Sequence, residues 1–95
     1  MVPKRLKIAR DLVDMSQEDL AAAAGVSEHT GSSRISHYEH GRHRPKFELV
    51  CQLARVLNVP EGYFYTLDDS FAEAMLKLYA GEVVQWRKPV SESGR

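Results

Sequence analysis

Apolar residues recur along this chain at intervals of three and four, the spacing of one face of a helix. After Pro3, a residue tolerated in a first helical turn, Leu6, Ala9 and Leu12 or Val13 form one stripe, with Lys4, Arg5, Lys7, Arg10 and Asp11 on the other faces. This predicts a first helix. Ser16-Gln17-Glu18-Asp19 reads as a cap followed by acids in a first turn. Leu20 and Ala21 to Ala24 then make a short second helix that another backbone can approach closely, stopped by Gly25. Val26-Ser27 opens a connection, and Glu28-His29-Thr30-Gly31-Ser32 is polar and turn-forming. Ile35, Tyr38 and Glu39 mark a third helix from Ser33 to His40, capped by Ser32 or Ser33 and stopped by Gly41, with Pro45 barring continuation. Phe47, Val50, Leu53, Ala54 and Leu57 share a face of a fourth helix closed by Asn58. Pro60 opens a one-turn fifth helix holding Tyr63, Phe64 and Tyr65. Asp68-Asp69-Ser70 caps a sixth, in which Phe71, Met75 and Leu78 line one side up to Gly81. Glu82-Val83-Val84-Gln85-Trp86 reads as a short extended arm, and Pro89 to Arg95 as a frayed polar end. The fold class is all-α, a bundle of five or six short helices.

Composition narrows the class. With 95 residues the chain is one domain, near the size at which a single apolar core suffices. Its 43% apolar content argues against wholesale disorder. No run of about 18 apolar residues and no signal-peptide layout is present, so the expectation is a cytoplasmic protein without a membrane association. Cys51 is the one cysteine, which excludes an internal disulfide and fits a reducing compartment.

Charge changes the picture more. Thirteen basic and thirteen acidic side chains cancel to a formal net charge of zero. Their distribution is uneven: Arg34, Arg42, Arg44 and Lys46 stand against Glu39 alone between positions 34 and 46, with His37, His40 and His43 among them. The acids collect from Asp11 to Asp19 and from Glu61 onward. A neutral chain with one basic surface, built on a short helix rich in Ser, Arg and His, suits a nucleic-acid groove.

The second helix, the turn and the third helix are the parts of a helix-turn-helix, and the residues go further. Ser16-Gln17-Glu18-Asp19-Leu20-Ala21, Ala24-Gly25-Val26-Ser27, Ile35-Ser36-His37-Tyr38-Glu39-His40-Gly41 with Pro45, and Leu53-Ala54-Arg55-Val56-Leu57-Asn58-Val59-Pro60 resemble the Cro/repressor (XRE-type) DNA-binding family. The resemblance runs from Arg5 to Tyr65. It implies a five-helix lambda-repressor-like DNA-binding domain over residues 1–66. An added C-terminal helix over 67–81 is then a candidate dimerisation element, and 82–95 a tail. One departure stands out: eight positions separate Ser27 from Ile35, where most of the family has four, so four extra residues sit before the third helix.

The resemblance assigns roles. The third helix lies in the major groove while the second crosses the backbone, so Ser32, Ser33 and His37 are expected to face base edges. Gln17, at the start of the second helix, is expected on a phosphate. Arg34, His40, Arg42, His43 and Arg44 are expected as further phosphate contacts, with Lys4 and Arg5 as outer candidates. Arg10 and Glu39 match a structural pair of the family. Ile35, Val26, Leu20, Leu53 and Leu57 read as core, and Cys51 as packing. Tyr63, Phe64, Tyr65, Phe71, Met75 and Leu78 offer more apolar surface than one small core needs and are the expected dimer interface.

Other chemistries fare poorly. His37, His40 and His43 follow at intervals of three, but Gly41 breaks the helix and no cysteine or second carboxylate completes a metal site, so no metal or cofactor is expected. No nucleophile-base order, P-loop or metal-hydrolase motif points to an enzyme. The expected function is a sequence-specific regulator of transcription, a repressor binding a palindromic double-stranded operator as a homodimer. The competing reading is an antitoxin-type module that neutralises a partner toxin and autoregulates its operon.

Overall fold

The computed structural model describes residues 1–26 and 29–82. These form five α-helices and one 3-10 turn, with no strand among the described residues: α1 (Pro3–Leu12), α2 (Gln17–Ala23), α3 (Gly31–Glu39), α4 (Phe47–Leu57), the 3-10 turn (Glu61–Tyr65) and α5 (Asp69–Tyr79). The 3-10 turn is the predicted fifth helix and α5 the predicted sixth. No helix among the described residues is long and apolar enough to cross a membrane. Beyond Glu82, the predicted arm to Trp86 and the end of the chain lie outside the described residues, as do Ser27 and Glu28.

Local sequence explains the boundaries. Pro3 is the first residue of α1. The Ser16 hydroxyl accepts from the Asp19 N–H at 3.0 Å and caps α2, with Glu18 and Asp19 in the first turn where the helix dipole favours acids. Asp68 caps α5 by accepting from the Phe71 N–H at 2.8 Å. Asn58 ends α4 in the left-handed conformation.

The start of α3 differs from expectation. It begins at Gly31, Thr30 holds the cap position without a side-chain bond, and Ser32 and Ser33 lie inside the helix. Gly31 is buried, and a Cβ placed on it would stand 2.7 Å from the Ala21 Cβ. A residue without a side chain is therefore what allows α3 to start in close contact with α2.

Leu6, Ala9, Leu20, Ile35, Val50, Leu53 and Leu57 form a common core, joined by Val26, Tyr38, Val59 and Ala72. Each large aliphatic side chain fully removed from water contributes about 1.5–3 kcal/mol. α3 packs on both α1 and α2, and the 3-10 turn bridges α1, α4 and α5. Tyr63 and Phe64, expected at a dimer interface, are 1% and 0% exposed and belong to this core. Their rings meet edge to face at 5.7 Å, filling the junction beneath the turn. Leu12 and Val13, in contrast, keep 65% and 44% of their surface exposed.

Candidate nucleic-acid interface

α3 is buried along Gly31, Ile35, Tyr38 and Glu39, which places Ser33, Ser36, His37 and His40 on the opposite side. Ser33 and His40 are exposed, while Ser36 and His37 are half-buried. Ser32 is half-buried at the edge facing α2, where it lines a shallow recess with Arg10, Ser16, Gln17 and Glu18. Arg34 is exposed on the other edge, and Arg42, His43, Arg44 and Lys46 are exposed just beyond the helix.

The helix is held by a buried carboxylate. Glu39 accepts from Arg10 Nε at 2.8 Å and from Arg10 Nη2 at 3.2 Å, a bidentate fork. Gln17 Nε2 donates to the same carboxylate at 3.1 Å, and Arg10 Nη1 donates to the Met15 carbonyl at 2.9 Å. The hydrogen bonds it donates to Glu39 hold the Arg10 guanidinium above its ordinary pKa, against the opposing cost of burial and with the charges of Glu39 and Asp11 assisting. Every buried side-chain N and O among the described residues has a partner. Because Glu39 is buried and paired, the exposed charges of α3 and the following loop are all basic. The expected structural pair is thus present, and Gln17 is tied to it with its helix-starting backbone at the same surface.

Individual cations differ in how they are held. Arg34 Nη2 donates to the Tyr38 hydroxyl at 2.8 Å, and its guanidinium lies 5.8 Å from the centre of that ring. His40 Nδ1 is 2.8 Å from the Ser36 carbonyl, an acceptor, so Nδ1 carries the proton. The His37 and His43 rings meet edge to face with centroids 5.0 Å apart. No local pattern announces that contact, since the two residues lie on either side of the helix stop, whereas Arg34 and Tyr38 have the four-residue spacing of neighbours on one helix face.

Lys4 and Arg5 are not part of this surface. Arg5 is 3% exposed and donates to the Thr66 and Leu67 carbonyls at 2.9–3.0 Å. It also lies 2.8 Å from an Asp69 oxygen, and Lys4 reaches the same oxygen at 2.8 Å. Both are committed to fastening the segment before α5 to α1.

A helix-turn-helix family profile matches residues 6–64. The chain belongs to the XRE-type helix-turn-helix family. The match spans α1 to the 3-10 turn and contains the whole surface described above; α5 lies beyond it. This XRE-type chain is also similar to the crystal structure of the transcriptional regulator BswR. The two are 35% identical with a TM-score of 0.81, over 99% of this chain and 87% of that one. No curated protein matches the chain. In this XRE-type fold α2 and α3 are the DNA-binding motif, and the basic side chains flank the second of its helices.

Proposed function

We propose that this protein regulates transcription by placing α3 in the major groove of a palindromic operator as a dimer, and that it acts as a repressor by occupying that site. The observation that carries the reading is the exposed face of α3. Ser33 and His37 project from a helix locked from behind by Arg10, Gln17 and Glu39, between Arg34 on one side and Arg42 and Arg44 beyond its end. On this reading Ser32, Ser33 and His37 face base edges, where an imidazole offers a donor and an acceptor and a hydroxyl offers either. Gln17, Arg34, His40, Arg42 and Arg44 meet the phosphates, which position the helix without reading sequence.

One half-site buries little surface, which favours a two-fold assembly. The apolar side chains that the fold leaves outside support such a face on α5. On α5, Leu78 is 59% exposed and Phe71 42%, with Met75 half-buried on the same face, and Tyr65 of the 3-10 turn is 44% exposed. Ile8 and Leu12 of α1 line an adjoining groove with Ala72 and Leu76.

Selection of bound sites from random duplexes tests the reading. The expected product is an inverted repeat with half-sites centred about 10–10.5 base pairs apart, or a multiple of that. An unenriched pool would refute sequence-specific recognition. Enrichment of a single unpaired half-site would refute the dimer and favour a surface on α5 reserved for another protein.

A further inference from the structure

The chain leaves α3 through a turn whose geometry is set on both sides. Gly41 has φ +74, its N–H donates to the Tyr38 carbonyl at 3.2 Å, and the Arg42 N–H donates to the His37 carbonyl at 2.9 Å. These two bonds are the Schellman pattern, with His37 at the helical position that accepts the bond closing the wider turn. A side chain at position 41 would be strained at this φ, and its Cβ would stand 3.2 Å from the Pro3 Cγ. The path of the loop is therefore fixed, and it delivers His43 to the face of α3. There the two imidazoles meet with centroids 5.0 Å apart and planes inclined at 61°, the edge-to-face arrangement aromatic pairs prefer. His37, opposite the buried stripe of its helix, is only half exposed, whereas His43 is exposed.

We infer that His43 is a positioning residue for His37: its ring holds the His37 imidazole in one orientation on the recognition face, and sequence discrimination depends on that contact. The inference rests on the reading of His37 as a base-reading residue. An imidazole presents one nitrogen to a base edge, so the bond forms only at a narrow range of ring orientations. A free surface side chain loses conformational freedom when it is fixed on binding. Packing against His43 imposes that order before DNA arrives. The ring at position 43, rather than its charge, supplies the effect, which distinguishes it from the phosphate-contacting cations Arg42 and Arg44 on either side.

The test compares the full chain with His37→Ala, His43→Ala and His43→Phe on a selected duplex and its single-base-pair variants, across a salt series, with thermal melts confirming that each protein is folded. His37→Ala identifies the base pair that His37 reads. At that pair His43→Ala lowers discrimination roughly five- to tenfold, within the range one base contact supplies, and His43→Phe restores it to about twofold of the wild type. The salt slope stays the same. Without DNA, the His37 ring resonances shift in His43→Ala and return towards their wild-type positions in His43→Phe. Uniform weakening on every duplex in His43→Ala, with the salt slope reduced by about one, would overturn the inference and leave His43 as a phosphate contact. Equal loss of discrimination in His43→Ala and His43→Phe would overturn it as well. If His37→Ala leaves the preference at every base pair intact, the base-reading role of His37 fails, and the role of His43 with it.

Discussion

Glu39 accepts from Arg10 of α1 and Gln17 of α2 while forming the last residue of α3, so three helices meet at one carboxylate. Its side chain is 3% exposed and that of Arg10 11%, which keeps solvent from screening the pair. Removing one partner of such a pair leaves the other charge uncompensated. Glu39→Ala should therefore cost about 3 kcal/mol, the lower part of the range for buried pairs, read as a reduced midpoint in urea with an unchanged slope. A loss below about 0.5 kcal/mol, the size of an ordinary surface substitution, would show the pair to be incidental. The pair was legible because both residues stood at matching positions of a recognisable motif. Arg5 was not. A cation near the chain start reads as an outer phosphate contact, and its burial depends on carbonyls 61 and 62 residues away that no local pattern announces.

At the scale of elements, ends were easier to read than faces. Ser16, Asp68 and Asn58 each mark a boundary through their own chemistry, and each lies at the expected boundary. Tyr63 and Phe64 lie in the core rather than at a dimer face, because a run of three aromatics in one turn cannot all face one way. The run alone does not say which is outside, and only Tyr65 is exposed. Gly31 reads as a turn residue, yet it starts α3 against Ala21. Gly31→Ala should push α2 and α3 apart and destabilise the protein by about 1–3 kcal/mol, as overpacking does. Thermal melts check this, and a neutral or stabilising result would mean the two helices are free to separate. At the other end of the fold, Asp69 is hydrogen-bonded first by Lys4 and then by Arg5, which lowers its pKa below the ordinary carboxylate value. A depressed carboxylate stabilises the fold above its unfolded pKa, and that contribution is lost as pH falls through the folded value. Stability should thus decline as pH drops below about 4, and Asp69→Asn should flatten that part of the profile while lowering stability at neutral pH. An unchanged acid limb in Asp69→Asn would exclude this anchoring of α5.

For the whole molecule, zero net charge hid the arrangement that matters: one carboxylate of the basic region is buried and neutralised, and its cations stay outside. DNA affinity should fall steeply with salt, by an exponent near the number of phosphates neutralised. Binding that is flat between low and physiological salt would contradict phosphate contacts by Arg34, Arg42 and Arg44. Amide chemical-shift mapping during titration with a selected duplex tests whether α3 and its flanking loop are the DNA surface. The largest changes are expected at Gln17, from Ser32 to His37 and from His40 to Arg44, with little change along the groove between Ile8 and Leu76. Changes centred on that groove, with α3 undisturbed, would contradict that assignment.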